Sequence, residues 1–396
     1  MARVVKKFGG TSVGDMDRIR LAATRVARGV ERGEQVSVVV SAMSGVTNNL
    51  VDLCHQASPN PDPAEYDVVL SSGEQVTVGL MAMALQELGL KARSFLGWQL
   101  PIMTEGGRME SDVVDVGRDA LEACMDQGII PVIAGFQGVD DEGRITTLGR
   151  GGSDRSGVAV AWALGAERCD IYTDVPGVYS TDPRIAPKAR CLEHISFGEM
   201  IEFATHGAKV LEDRAVDFAR AKGVRIRVVS TFEDLPGTMV LPSEEAPIEA
   251  DVAAVAVQKG FALVVYSGGE AEATALHDQL LEKGVQTFRF SPVEGEACFA
   301  LALKESDLAR FLDGVEGRQP LSVEKRLSKV SAIGRGLEDA PEAQSRFVAV
   351  ATGHGGQGVN VRATANRGLR TSILVPEAEA TNAIRRINRA YDLERD

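Results

Sequence analysis

Three short stretches carry residue types suited to anions and to amino-acid head groups. The first is Lys7-Phe8-Gly9-Gly10-Thr11-Ser12, where a short β-branched run ends in a lysine, two glycines and two hydroxyl residues. Paired glycines let backbone N–H groups approach an anion, because no Cβ stands in the way. A helix opening just downstream adds the positive end of its dipole, and Lys7 adds a full charge. The chemistry is that of phosphate binding, but no Walker A pattern, G-x-x-x-x-G-K-[ST], occurs in the chain. The second stretch is Leu148-Gly149-Arg150-Gly151-Gly152-Ser153-Asp154. Arg150 can grip a carboxylate bidentately. Asp154 can hold an ammonium group, a cation or the charge pattern of a transfer step, and Ser153 or Asp154 can also cap the next helix. The third is Ser71-Ser72-Gly73-Glu74, read as the opening of an apolar helix. A glutamate in a first turn also has a plain role in offsetting the helix dipole.

The elements that must position these residues follow from hydrophobic periodicity. Ile19, Ala22, Ala23, Val26 and Val30 recur at helical spacing before Gly33, and Val36–Val40 is a buried strand running into the Gly/hydroxyl-rich turn Ser41–Asn49. In open α/β sheets ligands collect at such strand ends. Residues 58–63 read as a surface loop, and Met81, Met83, Leu85 and Leu88 as the run of an apolar helix whose methionines pack in the core. Residues 113–127 read as helix and 129–137 as one apolar strand, with a hairpin turn at Asp140–Gly143. Tyr172–Arg184 is a strand followed by Pro-Gly and Asp-Pro turns. Ser196 and Glu199 form a capping box. Alternation of strand and helix to about residue 240 predicts a three-layer α/β domain with a mainly parallel sheet. A Pro- and Glu-containing linker at Leu241–Pro247 ends it, and two βαββ-like units follow, which predicts two small α+β modules.

Composition sets the outer bounds. At 396 residues the chain suits two or three domains, and 44% hydrophobic with 25% charged residues is ordinary for a soluble protein. A net charge of −13 argues against nucleic acid or an anionic membrane as a partner, while leaving room for a local basic pocket. Five scattered cysteines without a C-x-x-C pair predict reduced, mostly buried thiols and a cytoplasmic location. Five dispersed histidines lack metal-ligand spacing, so no protein-held metal site is expected. No signal peptide opens the sequence, and no apolar run of membrane-spanning length is expected.

Taken together, these stretches resemble the aspartokinase family. The resemblance covers Lys7–Ser12 (KFGGTS), Ser41 to Thr47, the motif ending at Glu74, Leu148–Asp154 (LGRGGSD), Tyr172–Arg184 (YTDVPGVYSTDPR) and Gly207–Leu211 (GAKVL), in the family's order. It implies an amino-acid-kinase catalytic domain over 1–242 and tandem ACT-like modules over 251–396. By position, Lys7 would neutralise the transferring phosphoryl group, and Gly9, Gly10 and Ser12 would cradle the nucleotide phosphates. Glu74 would hold the substrate ammonium and Arg150 its α-carboxylate, with Gly151 and Gly152 beside them. Ser41 and Thr47 would line the region between nucleotide and substrate, and Asp154 with Ser153 would organise the catalytic centre. Thr173, Asp174, Tyr179, Asp182, Arg184 and Lys209 would surround ATP. The implied reaction is Mg²⁺-dependent transfer from ATP to the side-chain carboxylate of L-aspartate, at the head of lysine and threonine biosynthesis, by a homodimer or higher homo-oligomer. Such a transfer needs no strong base, because its nucleophile is already ionised, so the lack of histidine in these motifs is expected. A different amino-acid carboxylate as acceptor, or a non-catalytic regulatory subunit, are the alternatives.

Two departures from the family pattern stand out. Leu211 is followed by Glu212-Asp213, where family members usually have His-Pro, which predicts altered nucleotide affinity. In the C-terminal modules, Ser267–Glu272 and Gly336–Glu342 stand where Pro-Gly effector loops are usual, although Lys329–Gly334 looks typical. This predicts weak or absent feedback inhibition by lysine or threonine, with the modules kept for dimerisation.

Overall fold

The computed structural model describes residues 1–208, 210–248, 250–293, 298–315, 318–353 and 358–395. The chain forms two compact units. The first comprises Met1–Val178, Cys191–Ile201 and Lys209–Pro247, and the second Tyr179–Arg190, Glu202–Ala208 and Ile248–Asp396. The second unit thus includes two short segments that precede the linker and have no compositional mark.

In chain order the first unit contains β1 (Arg3–Phe8), α1 (Met16–Glu31), β2 (Gln35–Val40), α2 (Val46–Ala57), α3 (Pro63–Glu87), β3 (Ala92–Phe95), β4 (Ile102–Glu105), β5 (Asp112–Val116), α4 (Arg118–Asp126), β6 (Ile130–Ala134), β7 (Gln137–Val139), β8 (Ile145–Thr147), α5 (Gly152–Ala163), β9 (Arg168–Thr173) and β10 (His194–Ser196). It continues with α6 (Phe197–Thr205), whose last turn belongs to the second unit, then α7 (Asp213–Lys222), β11 (Ile226–Ser230) and β12 (Thr238–Leu241). Eight strands form one sheet in the order β10-β12-β11-β9-β1-β2-β6-β3. Every pairing is parallel except β11 with β12. The fold is therefore α/β with a mainly parallel sheet. β1 sits centrally between β2 and β9, and its residues Val4–Phe8 are all buried, as a strand covered on both faces requires. Phe8, Val38, Val40, Ile19, Met81 and Leu85 share one core cluster. Met81 is core as expected, whereas Met83 is 64% exposed.

Several expectations are corrected here. A second sheet, β5-β4-β7-β8, was not foreseen. The alternating Asp112-Val113-Val114-Asp115-Val116 is a strand, so the helix read over 113–127 begins only at Arg118. The apolar run 129–137 is broken at Gly135-Phe136, where Phe136 has φ 68°, so β6 and β7 join different sheets. α3 begins at Pro63 rather than near residue 70. Asp62 accepts from the N–H groups of Ala64 and Glu65, and proline occupies the first turn, where its missing donor costs nothing. At 25 residues α3 is also long and apolar enough to cross a membrane by length and composition, contrary to expectation, though half of its most apolar window is buried inside the protein. The capping box forms as read: Glu199 accepts from the N–H and hydroxyl of Ser196, and Ser196 accepts from the Glu199 N–H. Three of the five cysteines are buried and none is bonded to another.

The second unit adds β13 (Ala254–Ser267), α8 (Glu270–Glu282), β14 (Thr287–Pro292), β15 (Cys298–Lys304), α9 (Leu308–Gly314), β16 (Ser322–Ile333), α10 (Pro341–Thr352), β17 (Ala363–Arg367), β18 (Arg370–Pro376) and α11 (Ala380–Ala390). Its strands close into a six-stranded barrel, β13-β15-β14-β17-β18-β16. Segments 252–258 and 261–267, read as two strands, form one 14-residue strand that pairs with both β15 and β16 across an irregularity near Gln258–Phe261. The two α+β modules therefore share one continuous set of strands.

Candidate active site

The cavity lies in the first unit, at strand ends as the Gly-rich turns require. It holds about 330 Å³ and is lined by Gly10, Ser41, Thr47, Glu74, Arg150, Gly151, Gly152 and Ser153, all singled out from sequence. Met43, Asn48 and Phe136 also line it and were not assigned to it. Phe136 comes from the break between β6 and β7, which Gly135 marks in the sequence. Two helices open on the cavity. α2 starts after Gly45 (φ 83°) and α5 after Gly151 (φ 67°), and neither cap residue supplies a side-chain hydrogen bond. Such N-termini keep backbone donors and a positive dipole end for an anion.

Glu74 lies near the middle of α3, so its reading as a first-turn dipole glutamate fails. It is 3% exposed, and one oxygen accepts the Ala42 N–H at 2.9 Å while the other is buried without a hydrogen-bond partner among the described residues. Burial pushes its carboxyl up to about 7, against the pull of Lys7 and the Ala42 bond. A cation in the cavity would satisfy both the orphan oxygen and the charge. Arg150 is exposed, and no hydrogen bond or ion pair holds its guanidinium among the described residues. Ser41 and Ser153 share a 2.7 Å hydrogen bond across the cavity wall.

Lys7 is buried and ion-paired with Asp154 in the first turn of α5. Asp154 is therefore a partner of Lys7 rather than a helix cap, and Gly151 takes the cap position. The first glycine turn differs from its simplest reading. The Gly9 N–H donates to the Tyr172 carbonyl at 3.1 Å, and the Ser12 hydroxyl is fully buried between Tyr172 and Thr231. Gly9 and Ser12 brace this turn, and Gly10 is its member at the cavity.

Thr173 ends β9, and its hydroxyl donates to the exposed Asp174 at 3.1 Å. Tyr179, Asp182 and Arg184 belong to the second unit. There Asp182 and Arg184 bind each other at 2.7 Å, and the Tyr179 hydroxyl accepts from Arg395. Lys209 lies outside the described residues. Glu212 packs against Gly151, where any Cβ would collide with it. Burial, Asp213 and Asp154 raise its carboxyl, and Arg150 opposes them. It thus borders the cavity, which its place in the sequence did not reveal.

Comparison with known proteins identifies the family. The model of the amino acid kinase family matches residues 2–230. An aspartate kinase of Pseudomonas putida is 37% identical over 100% of this chain and 98% of its own length. The chain belongs to the aspartokinases of the amino acid kinase family. An aspartokinase of Geobacillus stearothermophilus is 38% identical over 99% of this chain and 98% of its own. A solved structure of E. coli aspartokinase III in complex with aspartate and ADP superposes with a TM-score of 0.73 at 26% identity, over 98% of this chain and 99% of that one.

Proposed function

We propose that the chain transfers the γ-phosphoryl group of ATP to the side-chain carboxylate of L-aspartate, giving 4-phospho-L-aspartate and ADP. The observation that carries this reading is the pairing, in one cavity, of a buried carboxylate whose second oxygen has no hydrogen-bond partner among the described residues with an arginine that no hydrogen bond or ion pair holds there. An α-amino acid brings the complement of both. Its ammonium would meet Glu74, its α-carboxylate Arg150, and its side-chain carboxylate would then point toward the Lys7–Asp154 pair. The E. coli relative was solved with aspartate and ADP, which supports the same acceptor and nucleotide here.

Positioning and charge neutralisation drive such a transfer. Lys7, held by Asp154, offsets charge on the moving phosphoryl group, and the open N-termini of α2 and α5 add fixed donors. Ser41, Thr47 and Ser153 order the space between donor and acceptor. Of the residues that the resemblance assigns to ATP, Thr173, Asp174 and Lys209 are proposed nucleotide contacts. No cluster of three or more His, Cys, Asp or Glu side chains suited to a metal occurs among the described residues. Mg²⁺ carried in by the nucleotide typically uses one or two carboxylates plus phosphate oxygens, and Asp154, beside Lys7, is the carboxylate that would hold it. When bound, the ion neutralises phosphate charge. We place the enzyme in the cytoplasm as a homo-oligomer assembled through the second unit, with little feedback inhibition by lysine or threonine. Lys7→Ala tests the reading: it should abolish aspartate-dependent ADP release with the fold intact, and unchanged turnover would refute the role of Lys7.

A further inference from the structure

Resting on that reading, we infer that Asp67 is a positioning residue that sets the distance between Arg150 and Glu74, and so the selectivity for acceptors bearing an amino and a carboxyl group on one carbon. Asp67 lies two helical turns before Glu74 on α3, so both project from one face. It is fully buried and does not line the cavity. One carboxylate oxygen accepts the Thr147 hydroxyl at 2.6 Å, and the other accepts the Met109 N–H at 3.2 Å. Thr147 ends β8, three residues before Arg150. Met109 has φ 70°, unusual for a residue with a side chain.

The two segments held by Asp67 are also joined to each other. The Ser111 N–H donates to the Thr147 carbonyl at 3.0 Å, and the Ser111 hydroxyl donates to the Gly107 carbonyl at 3.0 Å. Gly149 has φ 71° and sits so close to Met109 that an added Cβ would meet its carbonyl at 3.0 Å. The conformation of Met109 thereby shapes the turn that presents Arg150. Burial raises the Asp67 carboxyl, and bonds from Thr147 and Met109 oppose that rise. A buried carboxylate is costly where packing alone is needed. Here it ties both segments to the helix that carries Glu74, making α3 a ruler between the ammonium and carboxylate anchors.

The test is steady-state kinetics of aspartyl hydroxamate formation for Asp67→Ala, Asp67→Asn, Thr147→Val and Arg150→Ala, with thermal melts confirming the fold. Asp67→Ala should raise the KM for aspartate about ten- to a hundredfold, leave the KM for ATP within about twofold, and shrink the preference for aspartate over succinate, which lacks the amino group. Asp67→Asn keeps an acceptor for Met109 and a group able to donate to Thr147, so it should recover most of the loss. Thr147→Val should show a smaller change of the same kind, and it decides the matter if Asp67→Ala does not fold. Wild-type aspartate KM in these variants, or equal losses for aspartate and ATP, would overturn the inference. An unchanged aspartate KM in Arg150→Ala would instead overturn the reading of Arg150 on which it rests.

Discussion

The two units each bury a charged group for which burial is expensive, and they use it differently. In the first, Glu74 is raised to about 7 and lines a cavity. In the second, Lys329 is fully buried in the barrel, with its amine 3.7 Å from the Phe288 ring centroid. Burial, Arg370 and Lys304 bring that amine down to about 7, and Glu202 only partly offsets them. Arg370 is already bound to Glu202 at 3.1 Å and to Ser372 at 2.6 Å, and burial also lowers the neighbouring His206. The Lys329 amine has no hydrogen-bond partner among the described residues. The same desolvation physics acts on both groups. The difference is room for a partner: Glu74 faces open cavity space, while Lys329 faces aromatic rings and other cations. A shifted ionisable group marks a binding site only when the geometry around it leaves a place for the counter-charge.

Breaking this comparison has its largest effect at Glu74. Glu74→Gln should lower kcat/KM for aspartate about a hundredfold or more, the scale seen when a charged ligand group loses a buried partner, with the KM for ATP little changed. Its stability effect has the opposite sign. An unfolded glutamate titrates near 4.5 and the folded one near 7. Between those values the folded protein holds a proton that the unfolded chain has released, so stability falls as pH rises through that window. Glu74→Gln should therefore melt higher than the parent above pH 7, which calorimetry at pH 6 and pH 8 would check.

Lys329→Met should stabilise the second unit with only a small change in turnover. An unfolded lysine titrates near 10.5 and the folded one near 7. Between them the unfolded chain holds the extra proton, so stability of the parent rises with pH. The gain on substitution should be greatest at or below pH 7, about 3 °C or more in Tm, and should shrink toward pH 9. A gain that grows with pH would contradict the account of a buried, unpaired amine.

Much of the site was legible because its residues act near their own place in the chain. Lys7, the Ser41–Thr47 turn and Arg150–Asp154 follow strands or open helices, and local pattern finds such joints. Glu74 was found by its motif but placed wrongly, since Asp62 and Pro63 were hidden in a stretch that reads as loop. The closed barrel was not legible, because it depends on pairing β13 with β16 some seventy residues away. Asp67 escaped notice for the same reason: its partners lie 42 and 80 residues on. Glu212 was recognised as unusual, yet only folding shows it against Gly151.

Smaller effects sharpen the contrast between units. The first turn of α8 carries Glu270 and Glu272, with Glu272 accepting the Gly269 N–H at 2.9 Å and Glu270 paired to Arg289 at 2.7 Å. The chain's own carboxylates occupy this helix end. Lysine and threonine at millimolar levels should change the rate by less than about twofold, because a carboxylate placed against carboxylates is repelled.

The most direct test of the central claim is hydroxamate formation with Mg²⁺–ATP, comparing L-aspartate and succinate from pH 6 to 8.5. The account predicts product from aspartate alone, with its KM rising as pH falls below about 7 and Glu74 takes up a proton. Equal product from succinate, or an aspartate KM indifferent to pH across that range, would contradict the pairing of Glu74 with the acceptor's ammonium group.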